Sequence, residues 1–495
     1  MERYRNPVLY ADYSDPDVIR VGEDFYMVAS SFTYLPGVPV LHSRDLVHWE
    51  IINYVVRSLP FEKYRKPCHG SGTWAPSIRF KDGEFLVFVP LVDEGIMVAR
   101  SKDIYGEFAL SMLTRSKGWI DPCPVWDTDG RTYMVFAYAY SRAGHNNVLS
   151  LIETDNGFTR TIGEPEVIFD GTVIAPTAEG PKAYCKDGWH YILFPAGGVA
   201  TGWEACIRSR SVHGPWEYRP VLRQGRSRVN GPHQGAWVTA PDGSDWFIHF
   251  QDVNELGRIT HLQPMAFTQD GWPQIGIDTD GDGIGEPVSE YRSPVEGAPH
   301  YSVQVSDDFQ GPELSLMWQF QANPDKRSYS LPGDGLLLSC LAGDSAWRSP
   351  YVLNAIPQSE SFTVDVSLSL EGKADGDFGG LGIMGRRYAF IGLEIFEGKA
   401  FLKIIRGKTK GDEAEEEDLF TLPWESSSAF LRIEVRKDRN YFLHYSPDGS
   451  AYTLFPRFFP LERAVWTGAK VSLWAANRLN ASSEGKARFR HFRMG

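Results

Sequence analysis

A chain of 495 residues exceeds one ordinary core, so two or three domains are expected, and its mix of 42% hydrophobic with 23% charged residues excludes a disordered polymer. The formal net charge of −13 argues against nucleic acid and anionic membranes as partners, because basic surfaces bind both. No apolar run approaches bilayer length, and Met1-Glu2-Arg3-Tyr4-Arg5 holds no signal-peptide core, so a cytoplasmic location is expected.

Five dispersed cysteines (Cys68, Cys123, Cys185, Cys206, Cys340) without CxxC spacing read as free thiols of a reducing compartment. Aromatic content is 13%, with 15 Trp, an excess that suits stacking on sugar faces as well as β-type cores.

The first informative stretch is Ser14-Asp15-Pro16-Asp17-Val18-Ile19. Pro16 biases Asp15 toward an extended backbone and pins a carboxylate where a strand begins. A polar lead, an apolar strand, a Gly/Asp turn and an aromatic strand then recur. The copies begin at Asp15, Trp74-Ala75-Pro76, Asp121-Pro122, Glu179-Gly180-Pro181 and His233-Gln234-Gly235. Their spacing, roughly fifty residues, is that of a four-stranded propeller blade. Residues 1–295 are therefore expected to form a five-bladed β-propeller. Its leading residues Asp15, Trp74, Asp121, Glu179 and His233 converge at one end of the channel. Three carboxylates in one funnel are a chemical site rather than a demand of the fold.

Asp278-Thr279-Asp280-Gly281-Asp282-Gly283 alternates Asp with Gly, as a loop for a hard cation does. Asp278, Asp280 and Asp282 are the candidate Ca2+ ligands, against the plainer reading of an acidic surface turn. Residues 296–306 read as a linker. Over 307–495 the texture changes to strict alternation, as in Phe362-Thr363-Val364-Asp365-Val366, which predicts an antiparallel, concanavalin-like β-sandwich. The acidic run 412–418 is expected to be a solvated loop. Gly380-Leu381-Gly382-Ile383-Met384-Gly385 matches GxGxxG but no βαβ pattern surrounds it, so no dinucleotide site is expected.

Taken in order, Ser14-Asp15-Pro16-Asp17-Val18, Ser30-Ser31-Phe32-Thr33-Tyr34-Leu35-Pro36-Gly37-Val38, His42-Ser43-Arg44-Asp45-Leu46, Thr73-Trp74-Ala75-Pro76, Asp121-Pro122, Ala178-Glu179-Gly180-Pro181 and Gly257-Arg258-Ile259-Thr260-His261-Leu262-Gln263-Pro264 resemble the family 43 glycoside hydrolases. These are β-xylosidases and α-L-arabinofuranosidases on a five-bladed propeller. The second domain is similar to the sandwich that β-xylosidase-like members carry. The resemblance implies an exo-acting, inverting hydrolase that releases xylose or arabinose from hemicellulose oligosaccharides, with no cofactor required for the chemistry. It implies Asp15 as general base, Glu179 as general acid and Asp121 as the residue that tunes the acid. An ionised Asp121 would keep the proton on Glu179. Phe32 and Trp74 would wall the sugar, and Arg258 and His233 would bind it. The fifth unit reads Pro232-His233-Gln234-Gly235-Ala236, which leaves open whether His233 or Gln234 faces the axis. The sandwich would lend a loop to the rim, and a homo-oligomer remains compatible. The alternatives are an arabinan-directed hydrolase and a non-catalytic sugar-binding protein on the same scaffold.

Overall fold

The structure, a computed structural model, describes residues 2–495. Five four-stranded antiparallel sheets follow one another along the chain, each built from consecutive strands. Blade one comprises Asp17–Val21, Asp24–Val28, Gly37–Ser43 and Glu50–Val56. Blade two comprises Ser77–Lys81, Glu84–Leu91, Gly95–Ser101 and Ala109–Thr114. Blade three comprises Trp119–Trp126, Thr132–Tyr138, Val148–Thr154 and Thr161–Asp170. Blade four comprises Lys182–Lys186, Trp189–Ala196, Trp203–Ser209 and Glu217–Leu222. Blade five comprises His233–Thr239, Asp245–Asp252, Arg258–Phe267 and Pro273–Ile275.

The second strand of a blade, such as Glu84–Leu91 or Trp189–Ala196, is buried along nearly its whole length. Adjacent blades cover both its faces, which is why Phe85-Leu86-Val87-Phe88-Val89 reads as a continuous apolar run rather than an alternation. The Asp-Gly punctuation serves the first hairpins. Asp82 and Gly83 (φ 52° and 78°), like Asp187 and Gly188 (φ 52° and 75°), are both left-handed, as two-residue hairpin loops require.

The N-terminal segment closes the ring: Val8 N donates to the Thr260 carbonyl (2.9 Å) of blade five, and Thr260 N donates to the Leu9 carbonyl (3.0 Å). Arg3–Arg5 pairs with Glu290–Arg292. Asn6 donates from Nδ2 to the carbonyls of Leu262 (2.7 Å) and Val288 (2.8 Å) and accepts from Leu262 N (2.8 Å).

Two seven-stranded antiparallel sheets form the second domain. Phe362–Glu371 alternates as its sequence does, with Val364, Val366, Leu368 and Leu370 turned into the core between the sheets. The GxGxxG match lies on the buried strand Asp377–Met384 and opens no helix. At Gly379 a Cβ would come within 2.4 Å of Ala487, so close packing of the two sheets explains the glycine. The acidic run is not a loop. It belongs to the edge strand Glu413–Trp424, paired with the basic strand Lys399–Lys410. Lys403 with Asp418 and Arg406 with Glu417 form ion pairs across the two strands, and this charge complementarity is what turns the run into a strand.

The domains are joined by more than the linker. Leu35 and Phe320 exchange backbone hydrogen bonds (2.7 and 2.6 Å), and Tyr54 OH donates to the Leu316 carbonyl (2.8 Å).

Candidate active site

A cavity of about 340 Å3 opens at one end of the propeller channel. Asp15, Asp121 and Glu179 line it, with Phe32, Trp74 and Arg258, so six of the seven residues expected to act or to bind sugar meet in one place.

Asp15 precedes the inner strand of blade one. Its φ is +57°, in the left-handed region, not the extended one expected from Pro16. The reason is tertiary. The left-handed turn aims the carboxylate inward, where Ser30 Oγ donates to Oδ2 and Arg258 Nη1 donates to Oδ1 (2.8 Å). These contacts hold a conformation that an isolated Asp-Pro would not choose. The Asp15 side chain is only 5% exposed.

Asp121 (φ 56°) sits on the inner strand of blade three at a break in register between Ile120 and Cys123. Such a bulge re-aims a side chain, and here it turns a carboxylate into the channel. Asp121 Oδ2 accepts from Gly180 N (2.7 Å). Burial first, then the Glu179 carboxylate and Asp15, push Asp121 up to about 8, against the Gly180 N–H and the Lys182 ammonium. The push on Asp121 differs from the sequence expectation, which took Asp121 as ionised. With that value Asp121 holds its proton near neutral pH beside the Glu179 carboxylate.

Glu179 is the reachable member, with its side chain 36% exposed. Its Oε1 lies 3.3 Å from His233 Nε2. His233 itself is fully buried and does not line the cavity. A register break between His233 and Gly235 turns Gln234 (φ 35°) into the cavity instead. His233 thus supports Glu179, and Gln234 takes the place expected of it on the cavity wall.

Phe32 exchanges backbone hydrogen bonds with Thr73 (2.8 and 3.0 Å), and its ring meets Trp74 edge-on, centroids 5.8 Å apart. Trp74 in turn meets Trp466, 5.9 Å away, from the sandwich. Trp466 (φ 66°) lies at the tip of a loop wedged against the propeller. Asp12 anchors that loop, accepting from Gly468 N (2.9 Å) on one oxygen and from Arg258 N (3.0 Å) on the other. The approach is so close that a Cβ on Gly468 would fall 2.3 Å from the carbonyl carbon of Leu256.

Comparison with known proteins shows where this geometry belongs. Residues 4–273 match the family model described as glycosyl hydrolases family 43, and residues 306–495 match the β-xylosidase C-terminal concanavalin A-like domain. The chain belongs to glycosyl hydrolase family 43. It is 35% identical to a putative β-xylosidase of Xylanibacter ruminicola, over 99% of this chain and 89% of that one. It is 30% identical to a non-reducing end α-L-arabinofuranosidase of Bacteroides ovatus, over 76% of this chain and 73% of the relative. A crystal structure of a family 43 protein from Bacillus licheniformis superimposes with a TM-score of 0.85 at 25% identity, covering 100% of this chain and 99% of that one. The protein is a glycosidase of the β-xylosidase/arabinosidase type.

Sequence reasoning did not find Tyr140 or Trp466 in this family 43 site, although both line the cavity. It left open whether His233 or Gln234 faces the axis, and the register break decides for Gln234. Trp466 comes from a loop of the other domain, and no local pattern marks it.

The calcium expectation at Asp278, Asp280 and Asp282 does not find a ready site. Asp278, Asp280 and Asp282 do gather their carboxylates within 4.8 Å of one another. Arg223 already pairs with Asp280 (3.0 Å) and with Asp282, so the protein supplies its own cation there. His249 bonds Gln263 (3.1 Å) and His261 bonds Gln251 (3.1 Å), which leaves the buried Nδ1 atoms of His233 and His261 without partners among the described residues. Calcium takes six to eight oxygens, and imidazole nitrogens do not provide them.

Proposed function

We propose that this family 43 enzyme is an exo-acting, inverting glycosidase that removes single β-D-xylosyl or α-L-arabinofuranosyl units from the ends of xylo-oligosaccharides. The observation that carries the reading is a cavity of about 340 Å3 that holds all three carboxylates and takes Trp466 of the sandwich into its wall. A chain end enters such a pocket, whereas a mid-chain segment needs an open cleft.

In this reading Asp15, fixed by Ser30 and Arg258, takes a proton from water as the water oxygen bonds to the anomeric carbon. Glu179 gives its proton to the departing glycosidic oxygen, and the bond from that oxygen to the anomeric carbon breaks. Asp121 keeps a proton available to the pair, and His233 holds the orientation of Glu179. Phe32, Trp74 and Gln234 shape the wall around the sugar ring. The similarity to a β-xylosidase and to an arabinofuranosidase supports both sugars, and wall shape decides the ratio.

The test is hydrolysis of aryl β-D-xylopyranoside and aryl α-L-arabinofuranoside, with proton NMR of the first sugar released. Inversion delivers α-xylose from the β-xyloside; β-xylose as the initial product would overturn the mechanism. Calcium added after chelation is expected to change neither rate nor Tm, given Arg223 in the acidic loop.

A further inference from the structure

Outside the funnel, three ligand-bearing side chains meet where the linker crosses blade one. Asp45 and His48 lie in the loop between the strands Gly37–Ser43 and Glu50–Val56. His300 comes from the linker, roughly 250 positions further along the chain. The carboxylate of Asp45 is buried and fixed. Its Oδ1 accepts from Ser43 Oγ (3.0 Å), Val47 N (2.8 Å) and His48 N (2.8 Å). That leaves Oδ2 facing His48 Nδ1, 2.6 Å away. His300 lays its ring on His48, with centroids 3.7 Å apart and planes 17° from parallel. It makes no side-chain hydrogen bond among the described residues. One ligand atom from each of Asp45, His48 and His300 lies within 4.8 Å of the others.

We propose that Asp45, His48 and His300 form a site for a divalent transition-metal ion of the zinc type, which fastens the linker to the first blade. Two imidazoles and one carboxylate are a donor set that zinc accepts, with water completing a tetrahedron. Imidazole also suits copper and nickel, whereas calcium and magnesium favour all-oxygen shells. Ligand bonds of roughly 2.0–2.2 Å require the two rings to tilt out of their stack. His300 is exposed and free of side-chain hydrogen bonds among the described residues, so the tilt is cheap, while Asp45 is oriented before any ion arrives. The next linker residue, Tyr301, rests on His42 with centroids 4.9 Å apart, so the chain is already seated at the right place. An ion bridging such distant positions binds the folded chain selectively and stabilises it.

The experiment is calorimetric titration of the full-length, tag-free chain with zinc after dialysis against a chelator, together with melting curves. The expected result is one zinc per chain and a higher Tm with zinc. His300→Ala and His48→Ala should each weaken binding at least tenfold and remove the Tm rise. His300→Ala should keep wild-type hydrolysis, because His300 does not line the cavity. Equal zinc binding by the wild type and both variants would place the ion elsewhere, and no saturable binding by the wild type would leave the histidines as a packing contact; either result overturns the proposal.

Discussion

Asp15, Asp121 and Glu179 share a cavity but not an environment. Asp15 is held by a guanidinium and a hydroxyl, Asp121 is sealed beneath Glu179, and Glu179 reaches solvent. Removing Asp15 or Glu179 as Asp15→Ala or Glu179→Ala is expected to lower kcat by several orders of magnitude with the melting curve nearly kept, as assays beside calorimetry would show. Asp121 carries a sharper test. Its folded value, about 8, lies above the unfolded value of about 4. The folded chain therefore keeps a proton that the unfolded chain gives up, and stability falls as pH rises from about 4 to about 8. Asp121→Asn ends that penalty. Its Tm should exceed that of the wild type at pH 8, and the gap should close toward pH 4. Activity should fall at the same time, because an amide cannot take up or pass on a proton beside Glu179.

At the level of elements, the blades were legible because each repeats the same order of polar lead, apolar strand and Asp-Gly turn. The closure of the ring was not legible. It rests on the strap at residues 3–9, where Asn6 makes three hydrogen bonds with both sides of its amide. Asn6→Ala leaves buried backbone groups unpaired, at roughly 1–3 kcal/mol for each group that water does not reach. A lower Tm with unchanged KM is the expected outcome, read by calorimetry and steady-state kinetics. The acidic strand Glu413–Trp424 teaches a related point. Its charges look like a solvated loop until the partner strand brings Lys403 and Arg406 opposite them.

Across the whole molecule, the sandwich completes the pocket. Trp466 stands 43% exposed beside Trp74, on a loop tied to the propeller through Asp12 and wedged at Gly468. A ring contact of this kind contributes about 0.5–1.5 kcal/mol beyond area burial, or about two- to tenfold. Trp466→Ala should lower kcat/KM on xylobiose by that factor and leave Tm nearly unchanged. An unaltered kcat/KM would show that the tryptophan lies outside the path of the substrate.

The sequence by itself determined the two all-β domains, the blade repeat and the meeting of three carboxylates at one end of the channel, because alternation, turn residues and recurring polar leads are local signals. Only the tertiary structure decided how those carboxylates are presented. The left-handed backbone at Asp15 and the bulges at Asp121 and Gln234 exist because packing and ion pairs from distant strands outweigh local preference. For the same reason His233 lies behind Glu179 rather than on the cavity wall, and Trp466 enters a site whose other lining residues all belong to the propeller.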